Sequence, residues 1–115
     1  MLPKINRLTK QRDLGRVKKV GRLAFFNPYR VRFLANRQSA SRFTVVASTK
    51  VSKKASQRNR LKRQVREILR LNLPKIKGGY DLIIFLTPMA LNFTYQQLEC
   101  QLLELLVQLQ LLKND

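Results

Sequence analysis

The segment Arg58-Asn59-Arg60-Leu61-Lys62-Arg63-Gln64-Val65-Arg66-Glu67-Ile68-Leu69-Arg70 constrains this chain more than any other. It holds six cationic side chains and one acid in thirteen residues. Leu61, Val65, Ile68 and Leu69 fall at helical spacing and make one apolar stripe. Arg58, Lys62 and Arg66 step four residues apart, with Asn59, Arg63 and Arg70 beside them. The spacing predicts a helix over 56–71 that anchors one side to a core and turns a broad cationic side outward. The plain alternative is a solvated charged face, but such faces mix signs, and Glu67 is the only acid here. A stiff array of guanidinium groups suits phosphate geometry.

The charge of the whole chain points the same way. Its 115 residues carry 24 Lys+Arg against 6 Asp+Glu, a net +18. A compact domain under that self-repulsion is expected to meet a polyanion. Residues 1–77 hold 23 cationic and 2 acidic side chains, while 78–115 hold 1 and 4. The first two-thirds therefore read as binding surface and the rest as scaffold. The length suits one RNA-binding domain, 1–115, with one modest core. Cys100 is alone, so no internal disulfide or cysteine metal cluster can form, and it reads as a small, partly buried apolar residue. The amino-terminal residues lack the apolar stretch of a signal peptide, and no run is long enough to span a membrane. The expected setting is cytoplasmic.

Thr9 is the expected cap of a first helix, 10–20, stopped by Gly21, with Leu14 and Val17 inward. Gly15 inside it would allow another backbone to approach closely. Residues 29–35 alternate apolar and cationic, as a half-buried strand does. Residues 43–48 read as a second strand, paired antiparallel to the first. Thr49 to Lys54 is a loop or a short edge strand. Pro74 closes the basic helix. The continuous apolar run Tyr80 to Leu86 fits a strand covered on both faces. Thr94 with Gln97 forms a capping box for a last helix from Tyr95 to about Leu111. Its stripe of Tyr95, Leu98, Leu102, Leu105, Leu106 and Leu109 faces the core. A second stripe of Cys100, Leu103, Val107 and Leu111 implies either a helix wedged between two layers or self-association through it. Repeats, low-complexity segments and linkers are absent.

The inventory for catalysis is short. There is no His, which removes His-based acid–base chemistry and His metal ligands. The six acids are scattered over different elements, so the converging carboxylates of a two-metal nuclease are missing. Asp13 fits a helix amino terminus, and Glu67 fits a surface ion pair with Arg63 or Arg70. Gly78-Gly79 lacks the Lys-Ser/Thr of a phosphate loop. The aromatics read mostly as core. Phe25 and Phe26 could stack on bases, but packing is the favoured reading for both.

The segment running from Ser48-Thr49-Lys50 through Lys53-Lys54 into Arg58-Asn59-Arg60-Leu61-Lys62-Arg63 resembles the signature of the bacterial ribonuclease P protein family. Asn6-Arg7-Leu8, the Asp13 helix ending at Gly21, and Gly79-Tyr80-Asp81-Leu82-Ile83-Ile84 extend the resemblance over nearly the whole chain. It implies an α+β fold, an α-β-β-β-α-β-α sandwich like domain 2 of ribosomal protein S5. The sheet would be four-stranded and mostly antiparallel, with a left-handed β-α-β crossover against the usual hand. It implies a protein subunit that binds a catalytic RNA and the 5′ leader of precursor tRNA. The RNA subunit, with Mg²⁺, would perform the endonucleolytic cut that makes the mature tRNA 5′ end. RNA-binding positions by this resemblance are Ser48, Lys50, Lys53, Lys54, Arg58, Asn59, Arg60, Lys62, Arg63 and Arg66. The family often carries cleft aromatics where this sequence has Leu14, Lys18 and Arg32. Leader binding would then lean on charge and fall faster with salt. Composition alone also fits a basic ribosomal or ribosome-assembly protein with no role in cleavage. A self-contained nuclease is disfavoured by the residue inventory.

Overall fold

The computed structural model describes residues 2–113. Three helices, α1 (Gln11–Val20), α2 (Ala55–Asn72) and α3 (Tyr95–Gln108), surround four strands, β1 (Arg22–Phe26), β2 (Tyr29–Ala35), β3 (Arg42–Val46) and β4 (Tyr80–Leu86). The strand order is β1-β2-β4-β3. β1 pairs antiparallel with β2, and β2 antiparallel with β4, whereas β3 runs parallel to β4. The order α-β-β-β-α-β-α and the mostly antiparallel α+β sheet agree with the resemblance.

One expectation about the sheet is corrected, and one strand that no local pattern had placed is found. β3 does not pair with β2, because both edges of β2 are taken. One edge goes to β1, which sequence reading passed over. Leu23 to Phe26 are four apolar residues in a row, so the sequence shows no alternation there, although in the fold Leu23 and Phe25 are exposed while Ala24 and Phe26 are half-buried; Asn27 and Pro28 turn the chain back into β2, with a cis peptide between them. The other edge goes to β4. Leu82, Ile83 and Ile84 are all buried, as a strand covered on both faces must be. α2 then serves as the crossover between the parallel neighbours β3 and β4.

The sheet separates two apolar clusters. On one face Tyr29, Val31, Phe33, Phe43, Val45, Leu82 and Ile84 pack against Leu61, Val65, Ile68 and Leu69 of α2 and Leu98, Leu102, Leu105 and Leu106 of α3. On the other, α1 contributes Val17, which joins Leu8 and Ile83 in a much smaller cluster. α1 therefore covers only part of its face.

Several helix details depart from expectation. α1 begins after Lys10, and Thr9 does not cap it. Nothing lies within 4 Å of a Cβ built on Gly15, so that glycine serves no close approach. Gly21 has an extended backbone, yet a Cβ there would meet the Val17 carbonyl oxygen at 2.3 Å. Close chain reversal, not a left-handed cap, requires it. The Thr94–Gln97 capping box is formed as predicted. α3 ends at Gln108, short of Leu111. Gln110 takes φ 60°, and Leu111 turns back into the core with its carbonyl accepting from Lys77 at 2.7 Å. Cys100 and Val107 are exposed, so the helix is not wedged between two layers.

Tyr29 ties the sheet to α3. Its ring is fully buried and its hydroxyl donates to the Leu98 carbonyl at 2.7 Å. Burial pushes the phenol well above its ordinary value of 10.0. A raised acid stays protonated in the folded state while the unfolded chain loses its proton. The contribution is complete below about pH 10 and is lost as pH rises beyond it. Tyr29→Phe is expected to cost about 1 kcal/mol at pH 7. Urea titrations between pH 9 and 11 should show the variant losing less stability with pH than the parent. Equal slopes would place the hydroxyl in contact with water.

Candidate RNA interface

α2 carries the cationic surface because its other side is committed. Leu61, Val65, Ile68, Leu69 and Asn72 are buried, and the Asn72 amide donates to Ile68 O at 2.7 Å and to Glu99 Oε2 at 3.1 Å. That anchoring fixes the rotation of the helix about its axis. Asn59, Arg60 and Arg63 come out exposed, with Arg58, Lys62 and Arg66 partly so. Among the described residues, none of these five cations has a carboxylate within ion-pair distance. Arg70 differs. Its guanidinium meets Glu67, with Nε 3.0 Å from Oε2, and it holds the Glu67 carboxyl below the usual carboxylate value.

The preceding loop is fastened to the same helix. Arg58 donates to the Ser52 carbonyl at 2.8 Å, Ser52 Oγ accepts from the Lys54 amide at 3.1 Å, and Val51 is buried. Ser48 Oγ accepts from the Lys50 amide at 3.3 Å. Ser48, Lys50, Lys53 and Lys54 are all exposed beside the helix start. The ten sequence-predicted positions thus form one continuous surface of loop and helix. The segment 49–54 is a loop, not an edge strand.

Two recesses flank α2. One, of about 490 Å³, is lined by Arg60, Arg63, Gln64, Arg66, Glu67 and Tyr95. The other, of about 250 Å³, places Arg66 with Arg7, Thr9 and Thr44 above an apolar floor that includes Phe43. Arg7 reaches this place because the amino-terminal segment lies along β3, with the Leu8 amide donating to the Phe43 carbonyl at 2.9 Å. Sequence reading assigned no RNA role to Arg7 or Tyr95. Both pairings cross more than 25 residues of chain, and no local pattern announces them.

The chemistry of the surface is that of binding. Asp13 and Asp81 are the acids that converge, and they converge on a guanidinium. Arg42 makes a two-pronged contact to Asp81, at 2.8 and 2.7 Å, and reaches Asp13 at 3.2 Å. Arg16 lies 3.8 Å from Asp81, and the Asn36 amide donates to it at 2.8 Å. Asp13 is therefore a buried ion-pair partner, beyond the dipole role expected of it. Among the described residues, no three His, Cys, Asp or Glu side chains gather as a metal-holding group. Asp115 lies outside the described residues.

Taken together, a helix-borne cation array on a small α+β sandwich defines an RNA-binding protein. A family model described as Ribonuclease P matches residues 2–110. The chain is 39% identical over 84% of its length to the ribonuclease P protein component of a Synechocystis strain, spanning 78% of that protein. It is 34% identical to that of a Pseudanabaena strain, with both chains fully covered. An RNase P protein structure from Thermotoga maritima superposes with a TM-score of 0.80 at 31% identity, covering 89% of this chain and 96% of that one. One from Staphylococcus aureus gives 0.86 at 25% identity, covering 94% and 91%. The chain belongs to the ribonuclease P protein family.

Proposed function

We propose that this chain is the protein subunit of a ribonuclease P ribonucleoprotein and assists removal of the 5′ leader from precursor tRNA. α2 and the loop before it bind the catalytic RNA. Arg58, Arg60, Lys62, Arg63 and Arg66 neutralise phosphates that would otherwise repel one another, with Asn59 and Ser48 as neutral polar contacts and Lys50, Lys53 and Lys54 extending the charge. The α1 side of the sheet holds the single-stranded leader, so that precursor binds better than mature tRNA. Phosphodiester hydrolysis belongs to the RNA and its bound Mg²⁺ in this reading. This chain's own part is to bind, neutralise and position.

The observation that carries the proposal is the row of helix cations whose orientation is fixed by buried Leu61, Val65, Ile68 and Leu69 and which no carboxylate neutralises among the described residues. A preset array loses little side-chain freedom on binding. The test is to add purified protein to the catalytic RNA and follow leader cleavage at low Mg²⁺. Stimulation is expected, because protein cations replace part of the counterion demand. Tight binding to ribosomal RNA without stimulation would instead assign the chain to ribosome assembly.

A further inference from the structure

The recess between α2 and the start of α3 holds more than a row of phosphate contacts needs. Both helices pack on the sheet face opposite α1. The volume of about 490 Å³ lies within the usual size of a small-ligand site, about 300–1,000 Å³. α2 supplies one wall with Arg60, Arg63, Gln64, Arg66 and Glu67, and α3 supplies the ring of Tyr95. Tyr95 is the first residue of α3, directly after the Thr94 cap. There the Gln97 amide donates to Thr94 Oγ1 at 3.1 Å, and the Thr94 amide donates to Gln97 Oε1 at 2.8 Å. The ring packs against the edge of the main core and is only half-buried. An aromatic ring fixed in this way, with its remainder in a recess, is a preformed surface for a flat partner. Packing accounts for the buried part of the ring but not for the guanidinium groups around the rest. Glu67 has its charge met by Arg70, whose Nε lies 3.0 Å from Oε2, so the surplus in the recess is cationic.

We infer that this recess takes one unpaired nucleotide of the catalytic RNA, its base stacked on Tyr95 and its phosphate held between Arg60 and Arg63. The inference rests on the reading that α2 meets that RNA, and adds a site for a base to the phosphate contacts. Arg60 and Arg63 stand three apart on the helix, so their side chains are neighbours and can share one anion. Gln64, the next residue, carries an amide that both donates and accepts, which suits the edge of a base. Charge selects the occupant. A protein segment would need several carboxylates to match the arginines, whereas a nucleotide carries a ring and an anion together. The nucleotide is unpaired because a base inside a duplex is already stacked on its neighbours and offers no free face.

The chain contains no Trp, so Tyr95→Trp installs a single indole at the site. Its emission should be quenched when the catalytic RNA is added and should recover when salt releases the RNA. Affinity for the catalytic RNA is measured in parallel for Tyr95→Phe and Tyr95→Leu, with urea denaturation of each as the check of folding. Leucine keeps apolar packing but loses the stack, and should weaken binding about 5- to 100-fold. No charge is removed, so the salt slope should match that of the parent. Phenylalanine keeps the ring and should restore the affinity. Chemical probing of the RNA should show one unpaired nucleotide protected by the parent and Phe proteins and reactive with the Leu protein. Indole emission unchanged at saturating RNA would overturn the site. So would a folded Tyr95→Leu protein that binds as the parent does, or one whose loss comes with a lower salt slope, which would assign the effect to displaced arginines. If Tyr95→Leu does not fold, the indole signal decides alone. A parent protein that does not bind the catalytic RNA would remove the functional reading itself.

Discussion

Arg42→Met is expected to destabilise the protein by about 3–5 kcal/mol, the cost of stranding a buried charge after its partner is removed. Asp81 is fully buried and Arg42 nearly so. The Asp81 carboxylate depends on both prongs of the Arg42 fork, assisted by the Asn36 amide and the more distant Arg16. The same guanidinium holds Asp13, and so fastens α1, which has only a small apolar cluster of its own. Hydrogen bonding to Asp81 also raises the Arg42 guanidinium further above its ordinary value, so its charge is permanent. Against a typical domain stability of about 5–15 kcal/mol, the loss is large. Urea denaturation at pH 7 measures it. Arg42→Lys should fall between, since an ammonium keeps the charge without the planar fork. Adding Asp81→Asn to Arg42→Met should recover part of the loss by removing the stranded charge. A loss below about 1 kcal/mol for Arg42→Met would mean that water reaches Asp81 and the network is peripheral.

The second large effect concerns RNA. Replacing Lys62, Arg63 and Arg66 together by Ala is expected to weaken binding to the catalytic RNA about 100- to 1,000-fold near physiological salt, or about 3–4 kcal/mol. The slope of log K against log salt should fall by about 2–3, one counterion or slightly less for each phosphate contact removed. Stability should change by less than about 1 kcal/mol, because partly exposed cations without carboxylate partners add little to folding. Arg58 is left out on purpose. Its bond to the Ser52 carbonyl means that Arg58→Ala would also free the preceding loop. An unchanged salt slope would show that these side chains do not meet phosphate. An unfolded variant would make them structural.

The helices and β4 were legible from local pattern. α2 needed only the interval between Leu61, Val65, Ile68 and Leu69, and α3 needed Thr94 and Gln97. β4 needed only its unbroken apolar run. The ten positions proposed to bind RNA came from the resemblance, and their placement beside one another follows from helical periodicity in α2 and the short loop that joins it. The pairing of β3 was misread because adjacency in sequence suggested a hairpin with β2. β1 had no periodic signature. Thr9, Gly15 and Cys100 were given roles that the packing does not bear out. The Asp81–Arg42–Asp13 network was invisible, since its members lie 29 to 68 positions apart.

By itself the sequence determined which stretches are helical, that the molecule carries +18 with most of its cations in the first 77 residues, and that it lacks His for catalysis. These are sums and short-range periodicities, and each is settled within a few turns of chain. Tertiary structure alone decided that Phe25 stands in solvent while Phe26 is packed, that Arg42 is a nearly buried clamp while Arg63 meets no carboxylate among the described residues, and that Arg7 joins Arg66 beside β3. Identical residue types received opposite roles in the first two cases. Burial and charge pairing depend on which distant segments the sheet brings together, and that partition exists only once the chain has closed.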